Sequence, residues 1–272
     1  MFAAEFLMQK LSREYKDTFM GIVNNVKDEI DFDELVESIE EKNIYKISGA
    51  AKFEKFQKNL SQFSPVILRA INIAANEMEN KKSILLDLDR VTNLNEVKTV
   101  TNKLITGLTE QQDQIIKQVI YDGIDRQLSA KTIADKLISH IGLNAPQSRT
   151  LQTIEDNLVK NNSNKTSINK IIESKTKQML KLRSETIALT ESANAVSSGR
   201  YLMQQQMLED GDILHDTTQE WLSGSDERSC SVCAPMHGQK IKMNEFFTAG
   251  NGAKVRSPIL HARCRCIVVI NY

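Results

Sequence analysis

A chain of 272 residues with 40% hydrophobic and 26% charged residues has the balance of a globular protein of one large or two modest domains. Aromatics at 6%, one tryptophan, four prolines and eleven glycines favour long helices over β-sandwiches, and 35 basic residues against 35 acidic ones exclude a global field that would gather DNA or an acidic membrane. Lys10, Arg13 and Glu14 follow the first residues too soon for a signal peptide, and no run approaches the ~20 apolar residues of a membrane span, so the chain is expected to stay in the cytosol with reduced thiols.

In chain order, Leu7, Leu11, Tyr15, Phe19, Ile22, Val26 and Ile30 recur every three or four residues, one apolar stripe on a long helix. The stripe has two readings: core packing, the usual fate of such a face, or an N-terminal arm that docks on another subunit. Asp31 with Glu34 opens a second helix through Leu35 and Ile39, and Phe53, Phe56, Leu60 and Phe63 carry a further period to Ser64-Pro65, where a helix restarts. Residues 80 to 105 are expected to be helical although Ile84-Leu85-Leu86 is too short to arbitrate.

Thr109 with Gln112 reads as a capping box for a helix through Ile115, Ile116, Val119 and Ile120, and Ser129 caps another that Gly142 closes. This pair has the outline of a helix-turn-helix, but no Arg/Lys-rich second helix is present to enter a groove. Residues 146 to 165, with Pro146 and Asn161-Asn162-Ser163-Asn164, are expected to form a flexible loop. One long helix follows from Ile168 to Glu209, kinked or broken near Gly199. After His215 the pattern changes to short strands at 218–222, 240–243 and 266–272, with Trp221 covering a small core. The expected fold is therefore α+β and predominantly α: a helical arm at 1–105, a helical part at 106–210 and a small Cys/His-rich domain at 211–272.

All four cysteines fall in that last segment, Cys230 and Cys233 as Cys-x-x-Cys, Cys264 and Cys266 as Cys-x-Cys after His261. A Cys-x-x-Cys turn brings two thiolates to one zinc ion, and His261 with Cys264 or Cys266 can complete a tetrahedron, leaving one of the five spare. A disulfide or redox-sensitive pair, and simply buried thiols, are the competing readings, with structural zinc favoured by the spacing and the reduced compartment. Catalytic zinc is disfavoured because it keeps an open position and a nearby base. His237 reads as a turn histidine.

The segment Asp226-Glu-Arg228-Ser-Cys230-Ser-Val-Cys233, the following His237-Gly238, and His261-Ala-Arg-Cys264-Arg-Cys266 resemble the signature of the phage Mu minor head protein F family, the head morphogenesis proteins of tailed phages. The family pattern has Thr where Ser229 stands and Pro where Ala262 stands. Thr190-Glu191 resembles the family's Thr-Glu element, for which a buried role of Glu191 against the cysteine domain is expected, and Ser129 to Ala134 fits a family segment with Gln127 in place of Gly. The resemblance covers roughly residues 110 to 272. It implies a non-enzymatic minor head protein in the virion, whose partners are the portal protein and other head proteins. Contact with packaged DNA fits the same role, though no strong basic patch supports it. A metal-dependent hydrolase or nuclease, or a toxin-like enzyme, is the alternative; the second histidine and the Asp or Asn that such a site needs are not evident.

Overall fold

The computed structural model describes residues 2–77, 84–223, 229–243 and 245–271, and is α+β with helix predominating. The helices are α1 (Phe2–Asp28), α2 (Phe32–Glu40), α3 (Ile44–Ala50), α4 (Phe53–Asn59), α5 (Phe63–Asn76), α6 (Val91–Asp125), α7 (Ala130–His140), α8 (Ala145–Lys160) and α9 (Lys165–Glu209). The strands β1 (Thr218–Leu222), β2 (Lys240–Lys242), β3 (Phe247–Thr248), β4 (Lys254–Val255) and β5 (Ile267–Asn271) follow. Among the described residues no helix is long and apolar enough to cross a membrane.

Local chemistry sets most boundaries. The Asp31 carboxylate accepts from the amides of Asp33 and Glu34, and Asn43 accepts from those of Tyr45 and Lys46, so α2 and α3 each begin on a side-chain cap. Ser129 caps α7 through the Thr132 amide. The expected loop at 146–165 is instead α8: Asn144 and Gln147 form a reciprocal capping box, and Pro146 sits in the first turn, where its missing N–H costs nothing. Only the asparagine-rich 161–164 stretch is non-helical, and Asn164 caps α9 by accepting from the Ser167 amide. The Thr109 box does not start a helix either, because α6 is already continuous from Val91.

The residues gather into two compact units, one of 1–16, 64–101 and 186–272 and the other of 17–63 and 102–185, with α1, α6 and α9 contributing to both. In the second unit Leu35, Ile39, Ile47, Ile116, Ile120 and Leu137 belong to one buried cluster, each worth about 1.5–3 kcal/mol as apolar side chains removed from water. Leu7, Leu11, Tyr15, Phe19, Ile22 and Val26 are all buried within the chain. The stripe on α1 is therefore core, which removes the reason to read that helix as a docking arm.

In the first unit, Ile84 to Asp87 is not helical. The Gln206 side chain on α9 accepts from the Asp87 amide and donates to the Leu85 carbonyl, and Asn76 accepts from the Leu86 amide, so this strap has its hydrogen bonds without a helix. Arg90 adds a fork to Asp210 and a contact to Glu209.

Helix α9 passes through Gly199 unbroken. A Cβ there would lie 2.4 Å from the Ile71 carbonyl oxygen and 2.9 Å from the Ala75 nitrogen on α5, so glycine serves a close helix approach rather than a kink. Gly199→Ala would gain about 1 kcal/mol of helix propensity, yet it is expected to destabilise by about 1–3 kcal/mol through overpacking against backbone. Urea unfolding checks the sign, and a variant as stable as the parent would show that α5 yields.

The sheet order is β2-β1-β5, antiparallel throughout, with Trp221 opposite Val268 and Gln219 opposite Ile241. A separate ribbon pairs Phe247 with Val255. The sequence pattern anticipates β1, β2 and β5, while the two-residue strands β3 and β4 carry no period to read.

Candidate metal centre

The ligand-bearing residues come from two arms. The first is the Cys230–Cys233 turn, in which the Cys233 and Ala234 amides donate back to the Cys230 carbonyl at 3.1 and 2.9 Å. Gly250 donates to the Val232 carbonyl at 3.1 Å, and a Cβ on it would meet the Ser231 carbonyl oxygen at 2.6 Å, so only glycine permits this backing of the turn. The second arm runs from His261 into β5 and is tightened by the Cys264 amide donating to the His261 carbonyl.

Arg263 lies between them with φ +59°, a left-handed conformation uncommon outside glycine. Its backbone N–H donates to Thr190 Oγ1 at 3.1 Å and its guanidinium donates to Thr186 Oγ1 at 3.1 and 2.7 Å. The Ser197 hydroxyl donates to the Pro258 carbonyl. Helix α9 thus fixes the loop that carries His261 and Cys264.

Cys230 Sγ and Cys233 Sγ each lie 3.2 Å from His261 Nε2, and Cys233 Sγ lies 3.9 Å from Cys264 Sγ. Donors around one zinc ion, at ~2.3 Å for sulfur and ~2.0 Å for nitrogen, stand about 3.5–3.7 Å apart, so the spacing fits. Cys230, Cys233 and His261 form one cluster, and Cys233, Cys264 and Cys266 form another, each with its ligand atoms within 4.8 Å of one another. Cys233 belongs to both.

His261 Nδ1 lies 2.9 Å from the Ala262 carbonyl oxygen. A carbonyl can only accept, so Nδ1 carries the proton and Nε2 turns its lone pair toward the thiols. The carbonyl contact, with the nearby thiolates, raises the imidazole's proton affinity against its partial burial. Cys264 is drawn down to about 5, first by the hydrogen bond from Cys266, while Cys233 is pushed up to about 12 by burial and by Cys264. Its hydrogen bond to Cys264, then burial and the Cys264 charge, push Cys266 far above its ordinary value. A cluster of thiols that cannot all ionise together is a place where a divalent cation relieves the repulsion.

The centre is roofed by apolar side chains. Trp221, Met236 and Phe247 are fully buried with Cys233, Cys264 and Cys266, and the Trp221 and Phe247 rings meet edge to face at 5.1 Å.

The family model described as "Phage Mu protein F like protein" matches residues 110–269. The chain belongs to the phage Mu F-like family. The match takes in Cys230, Cys233, His261, Cys264 and Cys266. No curated protein and no solved structure matches this chain.

In this Mu F-like protein the Thr-Glu element reaches the cysteine loop through Thr190, with Thr186 one turn earlier; half-buried Glu191 accepts from Asn194 at 3.0 Å. Sequence reasoning weighted Glu191 and passed over Thr186, which the 3.6-residue period places on the same face as Thr190. His237 lies outside both clusters and accepts from the Ser223 amide through Nδ1. The motif residues Asp226, Glu227 and Arg228 lie outside the described residues.

Proposed function

We propose that this Mu F-like chain is a minor head protein of a tailed phage, associated with the portal vertex and assisting head morphogenesis, DNA packaging or ejection. The family match across 110–269, more than half the chain and inclusive of both cysteine arms, carries this reading. Within it, Cys230, Cys233, His261 and Cys264 hold one structural zinc ion. Cys264 is chosen as the fourth ligand because it shares the turn of His261, its amide donating to the His261 carbonyl, and its thiol lies 3.9 Å from that of Cys233, the residue common to both clusters. A closed Cys₃His set staples a domain and leaves no position for substrate, which agrees with a structural and non-enzymatic role. The partners are the portal and other head proteins; equal numbers of basic and acidic residues give no general attraction to packaged DNA.

Quantitative mass spectrometry of purified heads, combined with cross-linking, tests the assignment. The expected result is a few copies per particle with cross-links to the portal. Absence from the particle, or abundance equal to the shell subunit, would overturn it.

A further inference from the structure

A groove of about 470 Å³ opens in the second unit, between residues of α1, α7, α8 and α9. That size suits a small ligand or a short stretch of peptide. Met20, Ile138, Ile172 and Leu180 supply apolar wall, and Asn24 and Asn169 supply amides.

Its lining carries three lysines and three carboxylates, but not every lysine is paired. Lys136 pairs with Glu155, and Lys177 pairs with Glu173 at 2.6 Å, but Lys27, in the last turn of α1, has no ion-pair partner among the described residues. Asp135, the remaining carboxylate, is exposed. Thr176 also lines the groove, is only 5% exposed, and leaves its hydroxyl without a partner. A half-buried ammonium and an unmatched buried hydroxyl beside apolar wall are both costly unless a ligand supplies the acceptor.

We infer that this groove is a binding site for a carboxylate carried on an apolar body, the carboxylate answering Lys27 and Thr176 and the body covering Ile172 and Leu180. Removal from water pulls the Lys27 ammonium down to about 8, so it stays mostly charged at neutral pH while holding few competing waters. Such a carboxylate has two sources: a free aliphatic acid, or an acidic residue flanked by apolar ones in a partner protein. The site rests on neither the zinc cluster nor the head-protein assignment.

The full-length protein is titrated with octanoate, with octanol, with the peptide acetyl-Leu-Glu-Leu-Leu-amide and with its Gln counterpart, monitored by calorimetry and by methyl NMR of Ile172 and Leu180. At least one carboxylate is expected to bind ten times more tightly than its neutral analogue, and the tighter of the two names the source. Lys27→Met should cancel that preference while leaving the thermal midpoint unchanged or higher, because it removes a desolvated charge and keeps the stem packing. Lys177→Met, whose ammonium is already paired, should leave affinity within about twofold. No saturable shift at Ile172 and Leu180, equal binding of acid and neutral analogue, or an unaffected preference in the Lys27→Met variant would each overturn the assignment.

Discussion

Cys233→Ser is expected to drop bound zinc from about one per chain to below about 0.2 and to release the small sheet from its fold. Cys233 is the thiol common to both ligand clusters and is itself buried among Trp221, Met236 and Phe247. The sheet it supports has strands of five, three and five residues with a separate two-residue ribbon. An assembly this small is marginal without a staple, and a structural zinc site supplies on the order of 10 kcal/mol in isolated fingers.

The readouts separate metal from fold. Trp221 is the sole tryptophan and is fully buried, so its near-ultraviolet signal and emission should collapse toward those of an exposed indole. Far-ultraviolet helicity should fall only slightly, since α2, α3 and α7 close over their own apolar cluster. Cys266→Ser, by contrast, should keep its zinc, because Cys264, in the same turn as His261, completes the ligand set and Cys266 follows that turn. Full zinc in the Cys233→Ser protein, or four thiols that react freely before denaturation in the parent, would defeat the metal reading.

What the sequence reveals depends on whether a residue's role is periodic. The stripe from Leu7 to Val26, the Asp31 and Ser129 caps and the strands 218–222 and 267–271 follow from spacing alone, because a helix or strand with one wet face writes its period into the chain. The cysteine cluster is legible for a different reason, since thiols are few and a turn plus a strand end leave little choice about where they meet. The errors lie where one residue has two uses. Pro146 reads as a breaker but occupies the first turn of α8, and Gly199 reads as a kink but admits α5. On α9 the apolar Leu182 is 56% exposed, while the charged Arg183 beside it is 5% exposed. Nothing in a helical period announces a buried cation.

Arg183 is the reason to expect the second large effect, at the α7–α8 corner. Its guanidinium donates to the Gly142 carbonyl at 2.8 Å and to Gln111 Oε1 at 3.0 Å, and lies 5.4 Å from the centre of the Phe19 ring. Gln112 accepts from the Gly142 amide at 2.8 Å, so both backbone groups of that glycine are held by side chains. Burial lowers Arg183 to about 10, still well above neutral pH, so the guanidinium stays charged, with carbonyl oxygens and a ring face in the place of water. Arg183→Ala should therefore cost about 3 kcal/mol: the charged hydrogen bonds are lost, a cavity opens and the Gly142 carbonyl is left buried. Arg183→Lys should recover less than half of that, since an ammonium cannot fork across Gly142 and Gln111. Gly142→Ala attacks the same corner from the other side. Its φ is +83°, and a Cβ would lie 2.7 Å from Val23 and 2.9 Å from Leu180, so strain and overpacking together should cost about 2–4 kcal/mol. Because Arg183→Ala removes the donor to the Gly142 carbonyl and Gly142→Ala displaces the backbone that presents it, the double variant should fall short of the sum by about 1 kcal/mol or more in urea unfolding. Additive losses would mean that Arg183 and Gly142 stabilise the corner independently.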